Sequence, residues 1–251
     1  MNYVTTPNIP QKPIKLAVVD GRISESIEKS LLLSGIKLIK TFPVRSVHAS
    51  VSFHPDIMLH HIHNKLIVCT PDIDQRLVET LSKEGFEICW GKTSLTSEYP
   101  GDIAYNVARV GSRAFHNLKY TDCVLRDKLE NAGVEFIHVN QGYSKCSVSI
   151  VDEGSIITAD KGIAKAAEKA GIEVLLIAPD ERIMLPGLSS GFIGGSTGLL
   201  SNDQWAIAGD INKLKCGKAI IDFLDKKGKT VVSLSDENVM DIGTILPLLT
   251  I

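Results

Sequence analysis

The chain has 251 residues, 44% of them apolar, with 27 basic and 29 acidic side chains and a formal charge of −2. That length supports a substantial core, the prior of roughly 100–200 residues per domain allows one or two domains, and the charge gives no electrostatic reason to expect nucleic acid or an anionic membrane as partner. Its apolar runs fall short of the ~18–20 residues a membrane span needs, and residues 1–15 lack the charged start and apolar centre of a secretion signal, so no membrane association and a cytoplasmic location are expected.

Residues 2–13 are rich in proline and read as an extended lead-in; residues 16–19 form a strand that ends at the turn Asp20-Gly21. Ser24 with Ser26 caps a helix carrying Ile27, Leu31 and Leu32, which Gly35 ends before a strand over 36–39. Residues 53–69 read as two strands with a turn near His63-Asn64-Lys65. Asp72 or Asp74 then caps a helix with Leu77, Val78 and Leu81, Gly85 closes it, 86–89 is a strand, and 99–111 stands where Pro55-Asp56-Ile57 stood before. Asp122 opens the next helix, Gly133 closes it, a strand covers 134–139, and 142–158 is a hairpin turning at Asp152-Glu153-Gly154. An alanine-rich helix over 163–170 ends at Gly171 and feeds a strand over 172–178, with a hairpin from 191–200 returning over 205–210. The last helix places Ala219, Ile220, Phe223 and Leu224 on one face, ends at Gly228, continues through a strand over 231–234, and reaches 238–249 without a returning strand.

One phrase therefore recurs five times: a helical run, a glycine (Gly35, Gly85, Gly133, Gly171, Gly228), then an apolar strand. Glycine belongs there because helices commonly stop on a residue at positive φ. A unit repeated at intervals of about 40–60 residues indicates five modules, approximately 16–69, 70–117, 118–160, 161–210 and 211–251, in one domain covering 1–251. If the module starts shift, residues 16–19 supply the missing last strand and close the array, removing exposed sheet edges. A doubly wound α/β domain is the alternative, because Val18-Val19-Asp20-Gly21 followed by a helix also suits that class.

Five ββαβ-type modules from about residue 16 onward resemble the pentein fold, a five-module α/β-propeller with pseudo-fivefold symmetry. It is shared by guanidine-modifying enzymes (arginine deiminase, dimethylarginine hydrolase, amidinotransferase) and by non-catalytic ribosome anti-association factors. The chain is also similar to a clostridial-type family of this fold. The resemblance implies hairpins converging on a central funnel, lined here from Asp56, Asp102, Cys146, the Gly194-Gly195-Ser196 turn and Asp241. The enzymes of the fold use a cysteine to attack the amidine carbon, a histidine to move protons and carboxylates to hold the planar cation. Their cysteine lies in the last module on Cys-x-Thr-x-Pro, where this chain has Gly243 and Ile245 before Pro247; the histidine expected in the fourth module falls in 188–200, which has none. The usual pair is absent from those positions, so chemistry is done from elsewhere in the ring or not at all.

Cys146 lies between Lys145 and Ser147, where a cation can lower a thiol pKa; its other reading is a small buried residue on a strand. The remaining cysteines, Cys69, Cys89, Cys123 and Cys216, are scattered and read as reduced thiols. Asp56, Asp102 and Asp241 each precede isoleucine, so either they repeat one ring position and face a cationic ligand or they bond local backbone N–H groups. Asn106 and Arg109 either support the second hairpin or serve the site; Asn106, with Lys145 and Ser147, is counted among the expected ligand-binding residues. His60, His61 and His63 have no second ligand set, and no metal is expected there. Residues 191–198 lack a phosphate-loop pattern, and close backbone packing explains their glycines. The expected ligand is a small cationic or amide-bearing molecule, bound without a cofactor. The protein is then either a cysteine-dependent hydrolase or transferase on a guanidino or amide compound, or a non-catalytic binding protein that kept the ring and lost the active site.

Overall fold

Residues 2–251 are described by the computed structural model. In chain order they form β1 (Asn2–Tyr3), β2 (Ile14–Val19), α1 (Glu25–Leu33), β3 (Lys37–Lys40), α2 (Pro55–Met58), β4 (Leu59–His63), β5 (Leu66–Cys69), α3 (Gln75–Lys83), β6 (Glu87–Trp90), β7 (Ala108–Val110) and β8 (Arg113–His116). They continue with α4 (Cys123–Asn131), β9 (Glu135–His138), α5 (Ser144–Ser147), β10 (Val148–Asp152), β11 (Ser155–Thr158), α6 (Lys161–Lys169), β12 (Glu173–Leu176), β13 (Thr197–Leu199), β14 (Gln204–Ile207), α7 (Gly217–Lys226), β15 (Thr230–Ser233) and β16 (Leu246–Thr250). No described helix is long and apolar enough to cross a membrane.

The long helices are set by their ends. Ser24, Asp74, Asp122 and Asp160 accept backbone N–H groups at the starts of α1, α3, α4 and α6, satisfying donors that a first turn leaves free. The repeated glycines after α1, α3, α4, α6 and α7 all have φ between 66° and 89°, the left-handed stop read from the sequence. Between these ends one face is apolar and buried, as with Leu77, Val78 and Leu81 of α3 or Ile220, Phe223 and Leu224 of α7.

Each long helix joins an antiparallel hairpin to a third strand that runs parallel to the hairpin's second strand. This gives the three-stranded sheets β4-β5-β6, β7-β8-β9, β10-β11-β12 and β13-β14-β15. In the remaining sheet, β1-β16-β2-β3, the C-terminal β16 pairs antiparallel with β2, which pairs parallel with β3. The last hairpin is therefore built from both ends of the chain, with Leu246 opposite Val18 and Pro247 opposite Ala17. A doubly wound domain needs one continuous, mostly parallel sheet, and the five separate sheets exclude it.

The segments before the hairpins meet in a closed circuit of hydrogen bonds. Asp56 N–H donates to Gly243 O at 3.4 Å, Thr244 N–H to Gly195 O at 2.7 Å, Gly195 N–H to Cys146 O at 2.9 Å and Lys145 N–H to Asn106 O at 3.1 Å. Asn106 Nδ2 completes it by donating to Asp56 O at 3.2 Å. Space there is scarce: a Cβ on Gly194 would lie 2.4 Å from the Val148 carbonyl, and one on Gly195 only 1.9 Å from Asp241 Oδ1. The glycine-rich stretch thus serves close packing, and only Thr197–Leu199 of it is strand. Likewise 55–58 and 144–147, read as strand from sequence, are one-turn helices; Pro55, at the start of the first, has the fixed φ that suits a helix N-terminus. Farther out, Ser149 Oγ accepts Trp205 Nε1 at 2.9 Å and Thr197 Oγ1 at 2.8 Å, tying the third hairpin to the fourth.

His60, His61 and His116 are buried, and desolvation lowers their pKa values to about 3, about 4 and about 4. Among the described residues no metal-capable grouping includes them; His61 Nε2 meets Asn64 O at 2.8 Å and His116 meets Thr121 Oγ1 at 2.7 Å. These imidazoles are neutral when folded, whereas the unfolded chain protonates them near pH 6.5. Their contribution is therefore intact above about pH 6.5 and is lost as pH falls toward 4. The melting temperature is expected to drop across that window, and the slope to shrink in His116→Gln; an unchanged slope contradicts neutral burial of His116.

Candidate functional site

Asn106 fixes the position of Cys146. Its Oδ1 accepts the N–H groups of Lys145 and Cys146 at 2.8 and 3.2 Å, while its Nδ2 donates to Cys146 Sγ at 3.2 Å. The thiol in turn donates to Asp56 Oδ2 at 3.1 Å. His54 stands at the N-cap of α2, two residues before Asp56, and a ring nitrogen, the Asp56 carboxylate and Cys146 Sγ all lie within 4.8 Å of one another. The His54 imidazole sits between two more carboxylates, with Nδ1 3.8 Å from Asp241 Oδ1 and Nε2 3.8 Å from Asp20 Oδ2. Neither ring nitrogen has a hydrogen-bond partner among the described residues. Asp241 is fixed by the N–H groups of Phe192 (2.8 Å) and Gly243 (3.1 Å), and Asp20 by the Arg22 guanidinium at 2.7 and 3.1 Å.

Burial dominates the charge states. It pushes the Cys146 thiol well above its ordinary value, and Asp56 and Asp241 push it further. It also raises Asp56 against the pull of Lys145, raises Asp241, and lowers His54 despite Asp241 and Asp20. At rest the pair is a neutral thiol beside a neutral imidazole. The sequence argument that Lys145 would activate Cys146 is thereby corrected. Adjacent residues on a helical turn point in different directions, and Lys145 Nζ goes to Thr244 Oγ1 at 2.8 Å and Gly194 O at 3.4 Å. It borders small spaces shared with Asn8, away from the thiol's cavity.

That cavity, about 370 Å³, is lined by Cys146, His54, Asp241 and Asp102, with Tyr143, Phe192 and Leu185 among its walls. Asp102 accepts a hydrogen bond from Tyr143 Oη. The supposed equivalence of Asp56, Asp102 and Asp241 does not hold. Residues 98–106 pass through tight turns, Gly101 N–H to Glu98 O at 2.7 Å and Asn106 N–H to Ile103 O at 2.8 Å, so Asn106 takes the place in the circuit that corresponds to Asp56. Asp241 precedes Gly243 as His54 precedes Asp56. Ser147 lines a neighbouring cavity of about 160 Å³ that contains none of the cluster. Ser196 Oγ closes a turn on Phe192 O at 2.9 Å, Gly194 and Gly195 contribute backbone alone, and Arg109 braces the second hairpin through Gly111 O at 3.0 Å. Sequence reasoning missed His54, Asp20 and Tyr143. The signal for His54 was its place in His54-Pro55-Asp56, beside an aspartate already singled out.

The profile of a family of unknown function, DUF6873, matches residues 18–246. The chain belongs to this family. A search of curated proteins found no significant match. In structure the DUF6873 chain is similar to the amidinotransferase SxtG from Microseira wollei, at 12% identity and TM-score 0.56 over 92% of this chain and 91% of that one. It is similar to the inosamine-phosphate amidinotransferase StrB1 from Streptomyces griseus (11%, TM-score 0.56, 93% and 91%) and to the agmatine deiminase of C. jejuni (10%, TM-score 0.57, 92% and 91%). At such identities the likeness shows the fold, and the fold is the pentein fold.

Proposed function

We propose that this protein is a cysteine-dependent hydrolase or amidino-group transferase acting on a guanidino or related amidine compound. The observation that carries the reading is the meeting of the Cys146 thiol, the His54 imidazole and the Asp241 carboxylate on one cavity, with Asp56 beside the thiol. The amidinotransferases and deiminase of like fold support it. The reacting pair is offset around the ring, with Cys146 before the third hairpin and His54 before the first, and the five units act as one domain.

In this scheme the Asp241 carboxylate, which lines the cavity, holds the planar amidinium, whose positive charge offsets the carboxylates of Asp56 and Asp241 that keep the thiol protonated. The Cys146 proton passes to His54, and the thiolate attacks the amidine carbon to form an S–C bond. His54 returns the proton to the departing amine, leaving a thiouronium on Cys146. Water or an acceptor amine, deprotonated by His54, then attacks that carbon, the S–C bond breaks with its electron pair going to sulfur, and the proton on His54 returns to the thiolate to restore the neutral pair. Asn106, donating to Sγ, stabilises sulfur charge in both steps.

The neutral, buried thiol is also what a non-catalytic binding protein would carry, and two alkylating agents separate the readings. 2-Chloroacetamide is expected to label Cys146 slowly at neutral pH and faster only above the ordinary thiol range. 2-Chloroacetamidine, a cation of nearly the same shape, is expected to react about 10–100-fold faster, because the Asp241 carboxylate on the cavity wall selects it. Equal rates, read by peptide mass spectrometry, contradict an amidine site at Cys146.

A further inference from the structure

Cys146, His54 and Asp241 meet at one place on the thiol cavity, and the lining that leads away from them is apolar. Phe192 begins it, since its backbone N–H donates to Asp241 Oδ2 at 2.8 Å and so adjoins the carboxylate assigned to the amidinium. Its ring centre lies 6.1 Å from that of Tyr143, which lies 5.7 Å from that of Tyr99, itself 53% exposed. The row of rings therefore runs from the reacting end to the surface. Gly142 allows it, because a Cβ there would stand 2.8 Å from a Tyr99 ring carbon and 2.4 Å from Ile103. Val51, Leu185 and Leu188 complete the apolar lining.

Neither sign of charge finds a partner along that lining. Asp102 offers no free oxygen: Tyr143 Oη donates to Oδ2, and Oδ1 is sealed from solvent. Asp241, the other carboxylate of the lining, is taken by the amidinium. An ammonium on the far end of a substrate would exchange its water for ring faces alone. A carboxylate there fares no better, because among the described residues no lysine or arginine lines the cavity. Arg22 is held by Asp20 and by the carbonyls of Ala49 and Ser50, and Lys145 by Thr244 and Gly194. Of the two histidines in the lining, His54 is buried between Asp20 and Asp241, and His48 is an exposed side chain. An uncharged apolar group gains the whole of its burial, and a flat one packs against tilted rings at these spacings.

We propose that the substrate is a guanidine whose far end is an uncharged apolar group, best an aromatic ring, seated on Tyr143, Phe192, Leu185 and Leu188. This rests on the reading of Cys146, His54 and Asp241 as the reacting end. The test compares three probes, 2-phenylethylguanidine, 4-aminobutylguanidine and 4-guanidinobutanoate, by Kd in Cys146→Ser using calorimetry and by consumption in wild type with hydroxylamine supplied as acceptor amine. 2-Phenylethylguanidine is expected to bind about 10–100-fold more tightly than either charged probe, the range given by burying one phenyl group. Adding Leu188→Asp, at a 52% exposed position where a charge leaves the fold intact, is expected to cut its advantage over 4-aminobutylguanidine about tenfold.

The ratio with Leu188 in place decides the matter even if the Leu188→Asp protein fails to fold. Equal affinities, or a charged probe favoured, overturn the apolar seat, and consumption of any probe then leaves the cysteine reading standing. An advantage that Leu188→Asp leaves unchanged puts the phenyl group elsewhere and also overturns the seat. An advantage that Leu188→Asp narrows, with no probe consumed by wild type, supports the seat and sinks the cysteine chemistry. Absence of binding by all three probes overturns both.

Discussion

Replacing Cys146 with serine is expected to lower kcat by about 10⁴-fold or more on any guanidine the protein consumes, with the fold preserved. A hydroxyl fits where the thiol sits, can donate to Asp56 Oδ2 and can accept from Asn106 Nδ2, so the circuit around it survives. What is lost is the nucleophile, since serine beside a neutral, buried imidazole has no comparable route to an anion. Circular dichroism and the melting temperature check the fold, and steady-state turnover checks the chemistry. Activity within tenfold of wild type would assign the reaction to another group.

The second large effect is structural. An alanine at Gly194 would put its Cβ 2.4 Å from the Val148 carbonyl and 2.5 Å from Lys145 O. Both are backbone atoms of the segment that carries Cys146, so no side chain can swing aside. The cost is expected to be on the order of 3 kcal/mol, a fall in melting temperature of roughly 6–12 °C for a chain of this size. Gly133→Ala is the control: its φ is +75°, but nothing lies within 4 Å of the added methyl. It is expected to cost only about 1–2 kcal/mol, the penalty of a left-handed backbone alone. Equal losses at the two sites would mean that packing at the hydrogen-bonded circuit is looser than its distances require.

The five helix stops could be read in advance because each is a local event: an apolar face ends and a glycine takes the positive φ. The closing pair β16 and β2 could be read only as a missing partner at one end and a spare strand at the other. Asp56, Cys146 and Asp241 were reachable as chemistry-bearing residues just ahead of hairpins. Their relationship was not, because the turns at 98–106 shift Asp102 out of register with Asp56, and a shared Asp-Ile dipeptide does not report such a shift. His54 was not legible because its neighbours Cys146, Asp241 and Asp20 come from segments far away in sequence. The effect of Lys145 was misjudged because the direction of a side chain on a one-turn helix is set by its partners, Thr244 and the Gly194 carbonyl, which lie far away in sequence.

The most direct measurement is acid quenching during turnover of 2-phenylethylguanidine or butylguanidine, followed by intact-mass and peptide analysis. The account predicts an amidine-derived adduct on the peptide containing Cys146, absent in Cys146→Ser and reduced in His54→Gln. A substrate consumed with the adduct on another residue, or consumed equally by Cys146→Ser, would contradict it.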